Sequence, residues 1–191
     1  MIVEPLTGSG LEAALDDLAQ LRITVFRAFP YLYDGDADYE RGYMRSYRDN
    51  PRALLVVARD GTRIVGAATG MPLFDHGDAS QLTSLITDPD RVFYCAESVL
   101  LSEYRGRGIG HRFFDLRESQ ARAQGHTRVA FCAVVRDIDH PARPADYTPL
   151  DDFWRKRGYE PLPGAKARFR WKDLGDSAET EKPLQVWIRD L

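Results

Sequence analysis

Apolar residues along this chain change rhythm several times, and each change predicts an element. Residues 1–6 suit a short first strand. Ser9 stands three residues before Glu12, the spacing of a helix-starting capping box. Leu11, Leu15, Leu18, Arg22 and Val25 then recur at helical spacing, with Leu21 and Phe29 widening the apolar face. Pro30 stops that helix. Tyr39, Tyr43 and Tyr47 recur at every fourth position and predict a second helix that ends before Pro51. Residues 53–59 and 63–71 read as two strands joined at Asp60-Gly61, a dipeptide suited to a tight hairpin. Residues 75–91 read as a loop with one helical turn around 82–86. Residues 92–101 form the strongest apolar run and read as one central strand. After a glycine-rich turn, Ile109, Phe113, Leu116, Gln120 and Ala123 mark a helix face, and Gly125 is a natural stop. A strand over 128–135, an irregular proline-rich stretch over 137–149, a short helix over 150–157 and late strands at 169–172 and 185–189 complete the order. Residues 173–183 between those strands read as a surface loop.

A strand-helix-strand unit over 92–135, appended to a hairpin, implies a mixed α/β sheet with helices on both faces. No repeat, low-complexity tract or linker divides the chain. One domain over residues 1–191 is therefore expected.

Composition narrows the partners. The 26 basic and 29 acidic side chains leave a net charge of −3, which gives no broad attraction to nucleic acid or to an anionic membrane. No apolar run approaches the roughly 18–20 residues that span a bilayer. The N-terminus has no basic segment followed by an apolar core, so no signal peptide is expected, and a cytoplasmic location is. Cys95 and Cys132 both sit in apolar runs and are expected to be buried, reduced thiols. His76, His111, His126 and His140 are isolated, so no metal site is expected. No G-x-S-x-G turn suggests a serine hydrolase.

The candidate chemistry lies in the segment from Glu103 to Gly110, Glu-Tyr-Arg-Gly-Arg-Gly-Ile-Gly, between a strand and a helix. Backbone N–H groups and the helix dipole make an anion site at such a place. A P-loop would need Lys-Ser/Thr after its last glycine, where this chain has His111-Arg112. A dinucleotide fingerprint starting at Gly106 and Gly108 would need a third glycine at His111, and two mononucleotide-binding halves. The remaining pattern is the coenzyme A pyrophosphate loop, R/Q-x-x-G-x-G/A, matched by Arg105, Gly108 and Gly110.

The stretch from Val99 to Gly110 resembles the signature of the GNAT superfamily of N-acetyltransferases. Phe153-Trp154 and Gly158-Tyr159 resemble that family's second landmark, an aromatic pair followed by a glycine-aromatic pair. The resemblance implies a mixed, mostly antiparallel central sheet with a splayed central strand pair. It implies acetyl-CoA as acyl donor and direct transfer to a primary amine of a small molecule or peptide. Val99, Leu100 and Leu101 would offer backbone hydrogen bonds to the pantetheine arm. Arg105 and the N–H groups of Gly106, Arg107, Gly108, Ile109 and Gly110 would hold the pyrophosphate. The family's usual proton donor is a tyrosine where this chain has Trp154; indole is no acid, so Tyr147 is the candidate instead, with Tyr159 expected to pack.

Attack on a thioester by an amine calls for a base and a fixed oxyanion donor. Glu97 is the candidate base, as the acidic residue within 92–101, and Tyr94 is the fallback. A carboxylate on a central strand is costly unless it is solvated or paired, which points it at a cleft. The acidic and aromatic stretch 31–40 would suit a cationic amine. The loss of the family tyrosine leaves a second reading, a non-catalytic acyl-CoA-binding sensor. The late strands could pair across a homodimer, although nothing in the sequence requires it.

Overall fold

The computed structural model describes residues 1–6 and 9–191. Its strands are β1 (Ile2–Leu6), β2 (Leu54–Asp60), β3 (Arg63–Pro72), β4 (Val92–Tyr94), β5 (Ser98–Leu100), β6 (Arg128–Val134), β7 (Glu160–Trp171) and β8 (Thr180–Asp190). Its helices are α1 (Ser9–Ala13), α2 (Leu15–Phe26), α3 (Ala37–Asp49), α4 (Ala79–Leu82), α5 (Ile109–Ala123) and α6 (Asp151–Lys156). The sheet runs β1-β2-β3-β4-β6-β8-β7, with β5 beside β3. Every pairing is antiparallel except β4 with β6.

Side chains alternate across β2 and β3 to build two cores. Val56, Ala58, Val65 and Ala68 meet Phe113 and Ala121 of α5. Leu55, Val57, Ile64 and Ala67 meet Leu18 of α2 and Met44 of α3 on the other face. With both faces covered, β2 reads as an unbroken apolar run rather than an alternating one. Complete burial of a side chain such as Leu18, 1% exposed, stabilises the fold by about 1.5–3 kcal/mol. Asp36 starts α3 by accepting a hydrogen bond from the Tyr39 N–H at 2.8 Å.

Three sequence expectations change. The first helix is divided at Ala14, where a tight turn returns its N–H to the Leu11 carbonyl at 3.1 Å, and the helix ends at Phe26. Ser9 is the first residue of α1, and the residue before it lies outside the described residues. The run 92–101 is two strands, interrupted at residues 95–97. The late strands are longer than expected and form a hairpin whose register shifts between Pro161 and Lys166. Proline has no N–H to give a ladder, so the shift absorbs Pro163 and Gly164, and the prolines obscure the strand in the sequence.

No helix among the described residues is long and apolar enough to cross a membrane.

Candidate functional site

The interruption at 95–97 opens the sheet. β4 stays paired to β6 through Tyr94 and Ala130, and Cys95 N–H still reaches the Ala130 carbonyl at 2.8 Å. Beyond that point β5 pairs with β3, and residues 131–134 pair with β8. A gap is left between Ser98–Leu100 and the end of β6. The Glu97 carbonyl accepts from Thr69 N–H, and Leu101 N–H donates to the Val65 carbonyl. By strand alternation, the N–H and C=O groups of Ser98 and Leu100 then face the gap. Of the three residues expected to line it, Leu100 does so, whereas Val99 and Leu101 turn their backbone toward β3.

A cavity of about 1180 Å³ occupies this gap. One mouth is the loop before α5, lined by Arg105, Gly106, Gly108, Ile109 and Gly110. The other lies on the α2 face, lined by Phe26, Phe29, Tyr31 and Tyr147. Gly106 and Gly108 have φ of +73° and +79°, and nothing lies within 4 Å of where a Cβ would stand on either. That left-handed backbone suits glycine and leaves open space over the start of α5. The first intrahelical bond there is Arg112 N–H to the Gly108 carbonyl, so the preceding N–H groups have no helical acceptor. A pyrophosphate fits this cradle, and an extended amide-bearing arm fits the unpaired edge of β5. Arg105 leans to the same place, with Nε 3.4 Å from the Leu100 carbonyl. Arg107 turns away, donating to the Glu103 carbonyl at 2.8 Å and stacking over Tyr104, and does not line the cavity.

Glu97 reaches the cavity wall but is not alone there. Its Oε1 lies 2.6 Å from Arg22 Nη1, and its Oε2 accepts a hydrogen bond from the Tyr43 hydroxyl at 2.9 Å. Arg22 also pairs with Glu40, which is fully buried. Burial alone would lower the Arg22 pKa, but Glu97, Tyr43 and Glu40 outweigh it and hold it above the usual guanidinium range. The Tyr43 hydroxyl continues to Tyr47 at 3.1 Å and His76 Nε2 at 3.2 Å. Burial holds the His76 pKa below its ordinary value, with Asp78 and Glu97 opposing. Arg22 was visible in the sequence as a cation inside an apolar stripe. Its partners, 18 residues and more away, were not.

Tyr147 lines the α2-face mouth, its ring edge-on to Phe29 at 4.7 Å. Burial pushes its pKa up. Tyr31, which sequence reasoning did not single out, lines the same wall; burial and then Glu97 raise its pKa. Arg136 fixes this wall, donating to the carbonyls of Pro30 and Tyr31, each at 2.8 Å, while paired to Asp173. Tyr94 is buried edge-on against His76, away from the cavity, which removes it as a fallback base. Trp154 packs on Phe131 and Trp187, and the Tyr159 hydroxyl donates to Glu118 at 3.0 Å. Cys95 and Cys132 are buried free thiols, their pKa values pushed by burial up to about 11 and about 12.

The acids of 31–40 do not face the cavity. Asp34 pairs with Lys172, Asp36 caps α3, Asp38 pairs with Arg41, and Glu40 holds Arg22. Local partners therefore claim the charge expected to attract a cationic amine. Among the described residues, no group of three metal-ligating side chains is assembled.

The chain matches the model of the Acetyltransferase (GNAT) family over residues 15–145. No curated protein matches it in sequence. Solved structures do. A ribosomal-protein-alanine N-acetyltransferase from Brucella melitensis aligns over 100% of both chains at 14% identity and a TM-score of 0.64. An aminoglycoside 6'-N-acetyltransferase from Enterococcus faecium aligns over 100% of this chain and 97% of its own, at 15% identity and a TM-score of 0.59. The Salmonella typhimurium protein yncA, solved with its cofactor acetyl-CoA, aligns over 100% and 94%, at 10% identity and a TM-score of 0.64. At such identities the likeness to these structures is one of fold.

Proposed function

The chain belongs to the acetyltransferase (GNAT) family, and from that premise we propose that it transfers an acetyl group from acetyl-CoA to the primary amine of a small molecule or peptide by direct attack. One observation carries the reading: the gap between β5 and β6 opens at one end onto a positive-φ glycine cradle at a helix start. Acetyl-CoA, when bound, supplies an activated acetyl thioester. The N–H groups at the start of α5 and Arg105 hold its pyrophosphate, and Leu100 and Ser98 hold the pantetheine arm by their backbone.

Glu97 keeps one lone pair on each oxygen and accepts the proton that the amine loses, directly or through one water. Arg22 and Tyr43 hold that carboxylate in place. As the N–C bond forms and the C–S bond breaks, Tyr147 donates its hydroxyl proton to the leaving thiolate. At the mouth, Arg143 lies over the rings of Phe29 and Tyr147, at 5.8 and 4.8 Å, and makes no ion pair among the described residues. Asp146 and Asp151 line the same cavity, so the rim carries both signs of charge, and its aromatic faces suit an amine that bears an aromatic group.

The test is thiol release from acetyl-CoA over a panel of amino acids, aromatic amines, peptides, polyamines and aminoglycosides, with a no-acceptor control. Acceptor-dependent release, strongest for aromatic amines, is expected. Coenzyme A binding without release for any amine would favour the sensor instead.

A further inference from the structure

Arg117 lies on α5, is 1% exposed, and forms no ion pair among the described residues. A buried guanidinium without a counter-ion is costly, so what it touches matters. Its Nε donates to the Phe113 carbonyl one turn back at 3.3 Å. Its Nη1 donates to two carbonyls at the break in the sheet, Glu97 at 3.0 Å and Thr69 at 3.3 Å. The Glu97 carbonyl also accepts the Thr69 N–H at 3.1 Å. Two donors, one of them charged, therefore draw on a single peptide oxygen.

That oxygen belongs to the Glu97–Ser98 peptide. In a planar trans peptide the N–H points opposite to the C=O. The Glu97 carbonyl faces β3, so the Ser98 N–H faces the gap, where Ser98 is exposed and lines the cavity. Pulling electron density onto the carbonyl side by a charge-assisted bond leaves the N–H a stronger donor, since hydrogen bonds in series polarise one another. A donor fixed at the thioester's place stabilises the negative charge that its carbonyl oxygen gains as the amine adds.

From this geometry we infer that Arg117 is a positioning residue for catalysis: from the α5 side of the cavity lining it polarises the Glu97–Ser98 peptide, so that the Ser98 N–H serves as the oxyanion donor. The inference rests on the transferase reading. It assigns a role to a cation whose hydrogen bonds all go to backbone carbonyls. It also accounts for an arginine buried on α5 between Phe113 and Ala121.

The experiment is the infrared difference spectrum of acetyl-CoA labelled with ¹³C at the acetyl carbonyl, bound to the wild-type protein and to Arg117→Met and Arg117→Lys, together with steady-state kinetics. In the wild type the thioester carbonyl band lies below its solution position. Arg117→Met moves it back toward that position and lowers kcat by about 10-fold or more. The KM for acetyl-CoA stays within about twofold, as expected when the lost interaction strengthens only in the transition state. Arg117→Lys keeps a charge without the two-carbonyl grip and gives an intermediate band, a reading that survives if the methionine variant does not fold. A band unmoved in either folded variant, or a loss that falls on the acetyl-CoA KM, overturns the role. If the wild type itself neither binds nor turns over acetyl-CoA, the transferase reading fails instead.

Discussion

Arg22 shows how much rests on single residues at this site. It sits on the apolar face of α2, stacked over Phe26 and Tyr43 at 5.1 and 4.4 Å, and joins the carboxylates of Glu40 and Glu97. Removing one partner of such a buried group leaves the others uncompensated. Arg22→Met is therefore expected to destabilise the protein by about 3–5 kcal/mol in urea unfolding, because Glu40 has no solvent to turn to. A loss below about 1 kcal/mol, the range of exposed pairs, would show that the triad is more solvated than its burial indicates. Glu97→Gln keeps the shape and the Tyr43 contact but removes the charge. It is expected to lower kcat by roughly 100-fold or more and to alter the pH-rate profile, with little change in acetyl-CoA affinity. An unchanged profile would leave Glu97 only its structural contacts. The sequence exposed both residues as charges inside apolar patterns. It could not show that they meet, because that contact is made by the packing of α2 on β5.

Among the elements, the split of the run 92–101 matters most. Val92, Phe93 and Tyr94 before the break and Val99 after it are all buried, so the apolar pattern resumes after Glu97-Ser98 as it would within one strand. A polar pair is equally compatible with an unbroken strand that turns one side chain to a cleft, and only the family resemblance anticipated a splay. The glycine loop was legible because its backbone requirement is local; the backbone directions of Val99 and Leu101 depend on pairing with β3 and were not. The irregular stretch after β6 is tied down by Arg136, which bonds the α2–α3 connection and Asp173 before β8. Arg136→Met is expected to cost about 3 kcal/mol of stability and to raise the KM of the acceptor more than that of acetyl-CoA, since it frees the wall holding Phe29 and Tyr31. Equal changes in both constants would mean that the wall also bounds the cofactor.

Across the whole molecule, the cavity is lined from both faces of the sheet, by the glycine loop before α5 on one and by the end of α2 and the turn after it on the other. The proposed proton donor stands at the α2-face mouth. Burial raises the Tyr147 pKa above its ordinary value of 10, so the phenol keeps its proton through the neutral range and donor activity declines only as pH rises past that raised value. Tyr147→Phe should lower kcat by about 10- to 100-fold and abolish any alkaline decline of that origin. A variant with wild-type kcat would pass the role to Tyr31 or to water. The acidic stretch 31–40 is the clearest case of sequence logic overridden by tertiary structure. Its charge suggested a cation site, yet a helix cap and ion pairs engage every acid in it.

The proposed acetyl transfer depends on the glycine cradle, and the most direct measurement is calorimetric titration of acetyl-CoA into the wild-type protein, Gly108→Ala and Gly108→Glu. Both substitutions share the left-handed φ of +79°, which costs about 1–2 kcal/mol for a residue with a Cβ, so the alanine variant isolates that strain from charge. The wild type should bind one acetyl-CoA per chain, Gly108→Ala should bind it more weakly, and Gly108→Glu, with a carboxylate set against the phosphates, should lose about 100-fold or more relative to Gly108→Ala. Equal affinity in the alanine and glutamate variants would place the pyrophosphate elsewhere and contradict the assignment of this loop.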